Sequence, residues 1–168
     1  MKNFSYSSFR LANSSLEIKL VYSLFLVFIA GGLLTIWLLQ FQRIGFGYDW
    51  ITAYYLGGEI HGQTFFAKNF NVLLEETHFH TFVIGVTFLI LAHLFVATSV
   101  RKEAKYIIIF LTFFSSLFAL GGVWLVRYLS PLCAYPLMAS WIGLWVGYLT
   151  MILIPLYEMW FRASLNPE

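Results

Sequence analysis

The sequence predicts an all-α integral membrane protein, a four-helix bundle with a folded outer loop. Three observations carry this reading. Hydrophobic residues make up 60% of the chain and charged residues only 11%, against about 25% charged in a soluble domain. Four stretches, about residues 20–39, 81–100, 106–126 and 136–157, are long enough to cross a ~30 Å hydrocarbon core as helices. None of the four contains Lys, Arg, Asp or Glu. Barrel strands are much shorter than these runs, and a helix satisfies its own backbone hydrogen bonds without water.

Residues 1–19 are polar, and Ser14 and Glu17 have capping-box spacing before the first apolar run. That run begins near residue 20 and has no small-residue cleavage site, so it reads as a membrane anchor. Ala30, Gly31 and Gly32 within it would let a helix or a flat ligand approach closely. Residues 40–77 form the one sizeable segment outside the membrane. The segment is rich in glycine and aromatic side chains, which suggests a cap resting on the membrane interface. Asn69 is placed to cap a helix that runs unbroken into the second span. The turns at 99–105 and 127–135 are short, so the spans they join are antiparallel. Pro155 should loosen the last turn of the fourth span. The whole chain, 1–168, reads as one four-span unit.

With the N-terminus inside, Lys2, Arg10, Lys19, Arg101, Lys102, Lys105 and Arg162 face the cytoplasm, and Arg43, Lys68 and Arg127 face the other side. The positive-inside rule therefore places both termini in the cytoplasm. The single cysteine, Cys133, cannot form an internal disulfide, and its apolar surroundings suit a small packed side chain. Trp141 and Trp145, four apart on one helix face, read as lipid-facing or as the wall of a quinone pocket. Glu158 reads as interfacial. No basic stripe or phosphate loop suggests nucleic acid or nucleotide.

The chemistry concentrates in the second span. Three of the four histidines, His78, His80 and His93, lie between residues 78 and 93, just after Glu75 and Glu76. An ionisable side chain within a span usually has a partner or a function. On a continuous helix His78 and His93 stand ~60° apart and ~22 Å apart along the axis, so they cannot share one metal ion. Two centres, or a histidine that bonds Thr35, Ser115, Ser116 or Ser140 of a neighbouring span, are the alternatives. At the outer end Glu76 and His80 share a face. With Glu75, His78 and His61 they offer nitrogen and carboxylate ligands that suit Cu, Zn or Fe.

Two histidines thirteen to fifteen apart on one membrane helix resemble the b-type bis-histidine cytochromes. That resemblance implies a haem b near each membrane face, with His93 and one of His78 or His80 as axial ligands. Arg43 and Arg127 are then candidates for the haem propionates. The family also needs partner histidines on a second helix, and the other three spans contain none. A two-fold mate or another membrane subunit could supply them, or a haem could be held by one histidine with Met, Tyr or no second ligand. Residues 70–94, with their acidic-Thr-His-x-His start and His-Leu-Phe end, also look like a family of small, largely uncharacterised four-span bacterial membrane proteins. That likeness implies the bacterial inner membrane and no particular activity.

The expectation is a membrane electron-transfer subunit of b-type cytochrome character, passing electrons between quinol and a periplasmic redox partner in a larger complex or a homodimer. The alternatives are a non-catalytic structural subunit of a complex, and a metal-binding protein with an outer Glu/His site.

Overall fold

A computed structural model describes residues 11–162. Lys2 and Arg10, which the charge reading used, lie outside them. Four helices are long and apolar enough to cross a membrane, and the protein is an all-helical integral membrane protein. After one 3-10 turn at Leu11–Asn13, α1 runs Leu16–Arg43, α2 Tyr48–Leu56, α3 Phe70–Val96, α4 Lys102–Tyr128 and α5 Ala134–Tyr157. Two short strands, β1 Gly58–Ile60 and β2 Gln63–Phe65, lie between α2 and α3.

The cap has a definite fold. Strands β1 and β2 pair antiparallel with Ile60 opposite Gln63, leaving His61 and Gly62 as a two-residue turn. Both have positive φ, 48° and 78°, as a type I′ hairpin requires. The face of α2 bearing Ile51 and Tyr55 packs on Leu73 of α3, Val126 of α4 and Ala134, Leu137 and Trp141 of α5. The cap is therefore seated on one end of the bundle, called here the cap end.

Asn69 does cap α3: its Oδ1 accepts the Val72 N–H at 2.9 Å, and the helix runs unbroken to Val96. The expected box at Ser14 and Glu17 does not form. The N-cap of α1 is Ser15, and the Ser14 hydroxyl instead donates to Leu11 O at 2.7 Å. The last turn of α5 loosens as expected at Pro155, whose missing N–H leaves the ladder incomplete. The helix widens into a π-helix over Glu158–Arg162.

Helices α4 and α5 form the tightest pair. Gly143 and Gly147 lie one turn apart on α5, and a Cβ on either would collide with Ser115 or Thr112 of α4. Leu137 lies 3.0 Å from where a Cβ of Gly122 would stand. Small residues on both helices let the backbones meet, which is how membrane helices associate without a hydrophobic driving force. The α4 hydroxyls turn back onto their own helix: Thr112 Oγ1 donates to Ile108 O, and Ser116 Oγ donates to Thr112 O. These two donors are thereby paired within their own helix. In contrast, α1 buries only Leu26, and nothing lies within 4 Å of a Cβ at Gly31 or Gly32. The close approach expected there is not made among the described residues.

Candidate functional site

The candidate residues fall into two groups, one at each end of the bundle. At the cap end, Lys68 organises the polar side chains. Its Nζ lies 3.3 Å from Glu76 Oε1 and 4.4 Å from the centroid of the Tyr54 ring. Its carbonyl accepts a 2.8 Å bond from Arg127 Nε, and the guanidinium lies over Tyr128. Burial pulls the Lys68 ammonium pKa down, but Tyr54 and Glu76 beside it outweigh burial, so the net direction is up. Burial pushes the Tyr55 hydroxyl above the usual phenol range, with Tyr54 and Glu76 adding to it. At the next residue of α3, Trp124 Nε1 donates to Thr77 Oγ1 at 2.8 Å. These contacts anchor the start of α3 against α4 and the cap.

Glu76 and Arg127, a candidate metal ligand and a candidate propionate partner, are thus both engaged within the chain. Glu76 and His80 do share a face, but the link goes through the backbone: His80 Nδ1 lies 2.7 Å from Glu76 O. His78 sits edge-on to Phe82, His80 edge-on to Phe79, and His61 lies at the hairpin tip against Trp50. Arg43 is exposed at the end of α1. Among the described residues, no three His, Cys, Asp or Glu side chains converge as a metal ion would require.

At the opposite end, α3 stops at Val96, short of the expected residue 100. His93 therefore occupies the last turn of the helix and not the middle of the span. Its side chain is exposed. Among the described residues it has no hydrogen bond, ion pair or ring contact, so the expected bond to Thr35, Ser115, Ser116 or Ser140 is not made. Ser115, Ser116 and Ser140 instead lie buried on α4 and α5.

At 100° per residue, Glu75, His78, Phe82, Gly85, Leu89, His93 and Val96 fall within about 100° of one another, on the face of α3 opposite Leu73, Leu91 and Phe95. All seven stripe residues are exposed, and the other three are buried. The helix thus carries His78 and His93 on one outward stripe, one near each end. His80 lies off the stripe, by ~140° from His93.

Sequence reasoning missed the group that holds this end together. Glu158, expected at the interface, is 2% exposed. Both of its carboxylate oxygens accept the Ser99 N–H at 2.8 Å, and Arg162 pairs with it at 3.6 Å. Lys105 Nζ donates to Val96 O and Thr98 O, each at 2.6 Å. The turn between α3 and α4 is therefore capped by an anion on an N–H and by a cation on the carbonyls, as the partial charges of helix ends favour. Trp141 is also corrected: it is buried, with Phe46 edge-on to its ring. Trp145 packs edge-on against Trp37 of α1. The spacing Gly143-x-x-x-Gly147 was the available signal for the α4–α5 seam.

A search of curated proteins gives no match, and neither does a search of solved structures. Residues 45–166 match a family described as a transmembrane helical domain. The match starts just beyond α1 and takes in the cap and the other three spanning helices. Since it covers well over half of the chain, the protein belongs to this family of four-span membrane proteins.

Proposed function

We propose that the protein is a non-catalytic helical subunit of a membrane assembly in a bacterial inner membrane, its whole chain acting as one four-span unit. The carrying observation is the outward stripe of α3. Glu75, His78 and His93 stand exposed on it, and among the described residues none makes a hydrogen bond or ion pair. Ionisable side chains on a membrane helix are costly when they face lipid, and a neighbouring chain would give them partners. The orientation in this reading has both termini in the cytoplasm, because Lys19, Arg101, Lys102, Lys105 and Arg162 gather at the end away from the cap. The cap then faces outward. Native mass spectrometry of the mildly solubilised protein tests the reading. The expected particle is heavier than one 19.4 kDa chain plus lipid, and a single chain alone would refute it.

One observation favours a second reading, electron transfer through haem b. Helix α3 is continuous from Phe70 to Val96, so His78 and His93 keep the ~22 Å separation of two centres, one at each membrane face. A second axial histidine would come from outside the chain, and quinol and a periplasmic redox protein would be the electron partners. A reduced-minus-oxidised spectrum of the pure protein decides. A b-type α-band that disappears in His93→Leu supports this reading, and a blank spectrum rejects it. Elemental analysis of the same sample for Cu, Zn and Fe tests a metal at the cap end.

A further inference from the structure

We infer that the partner on the outward stripe of α3 is a second copy of this chain, in a parallel pair that crosses at Gly85. This rests on the subunit reading above and names the partner.

A two-fold axis normal to the membrane would set the same stripe of each chain face to face and parallel. Such a contact holds only if the stripe complements itself. This one does. Glu75 presents a carboxylate acceptor and His78 an imidazole donor, ~60° and ~4.5 Å apart on the helix. Glu75 of each chain can therefore bond His78 of the other, making two equivalent pairs. Near the far end His93 meets its own counterpart, and two neutral imidazoles suit each other because each has one donor and one acceptor nitrogen.

Between these polar ends, Gly85 sits ~10 Å from His78 and ~12 Å from His93, close to midway. Nothing lies within 4 Å of a Cβ built there, so the backbones can approach at the crossing. Phe82, Val86 and Leu89 are exposed around it and supply the apolar contact. Between Leu24 and Leu39 the outward face of α1 carries no ionisable residue, and Glu17 at its first turn is bonded to Ser15, so lipid suits this face.

The test is disulfide trapping of the full chain in membranes, with Cys133→Ser removing the single native thiol. Gly85→Cys is expected to oxidise to a covalent dimer, because a close crossing brings the two Cα atoms within disulfide range of about 4.4–6.8 Å. Phe28→Cys on α1 is expected to stay monomeric. In the Gly85→Cys background, Glu75→Leu or His78→Leu removes both equivalent pairs, and each should lower the trapped fraction about sevenfold at about 0.6 kcal/mol per membrane hydrogen bond. Exchanging the two, Glu75→His with His78→Glu, should restore it.

Equal trapping at Gly85→Cys and Phe28→Cys would mean random collision and overturn the pairing. A Gly85→Cys chain that stays monomeric while native mass spectrometry finds a different protein bound would also overturn it, yet leave the subunit reading standing. A lone chain in both measurements would overturn both.

Discussion

The α4–α5 seam and the attachment of α1 use the same small residue to opposite ends. At the seam, Gly143 and Gly147 are filled by Ser115 and Thr112 of the facing helix. On α1, Gly31 and Gly32 face open space. Glycine therefore does not mark a contact in a membrane helix; contact depends on what the neighbouring helix presents. Among the described residues, helix α1 is held by a shallow apolar face around Leu26, by the edge-on contact of Trp37 with Trp145 and by the bond between Trp160 Nε1 and Ser23 Oγ. The match to the family begins at residue 45, so the matched region is also the tightly packed one.

Substitutions that exchange these environments sharpen the contrast. Gly147→Leu should be the most damaging. Overpacking a close contact costs about 1–3 kcal/mol and sometimes more, and thermal unfolding in detergent should show a large fall in Tm or no folded protein. Gly31→Leu on α1 should leave Tm nearly unchanged. If the two behave alike, the packing contrast is wrong. Glu158→Ala comes next, because it strands the half-buried Ser99 N–H; a loss of about 1 kcal/mol, the low end for an unsatisfied donor, is expected. Hydrogen exchange at Ser99 should rise in step.

A smaller effect is expected at the cap. Lys68→Ala removes a partly exposed ion pair of about 0–1 kcal/mol, measurable as faster proteolysis of the hairpin. The same region should respond to alkali. Lys68 and Tyr55 both have folded pKa values raised above their unfolded ones. Their contribution is complete below the unfolded values, about 10 for both groups, and is lost as pH rises through the folded ones. Cap proteolysis should be flat from pH 7 to 9 and accelerate above pH ~10. The smallest change is Trp160→Phe. It removes one interhelical hydrogen bond of about 0.6 kcal/mol, and cross-linking between α1 and α5 should fall slightly with no change in Tm.

The spans were legible because membrane thickness fixes their length and charge marks their ends. Asn69 and Pro155 were legible for a similar reason: each acts on the backbone within a turn of itself. The features that were not legible depend on distant neighbours. Glu158 looks interfacial by its position, and only the fold brings it to Ser99, 59 residues away. The place of His93 depended on one boundary: ending α3 at Val96 instead of near residue 100 moved it from depth to the final turn. The cap hairpin turns on His61-Gly62, a weaker turn signal than Asn-Gly. Of the candidate site, the histidine spacing was legible. The engagement of Glu76 by Lys68 and of Arg127 by Lys68 O was not, since the partner lies in a loop without periodicity.

The bond from Trp160 to Ser23 joins residues 137 positions apart. At a synthesis rate of about 5–20 residues per second, Ser23 precedes its partner by roughly 7–27 s. During that interval α1 lacks this bond and is kept in place by lipid and then, once α3 has followed, by apolar packing of Leu26 with Leu91, Leu94 and Phe95. Its long apolar surface equips it to wait for the polar contact that comes last.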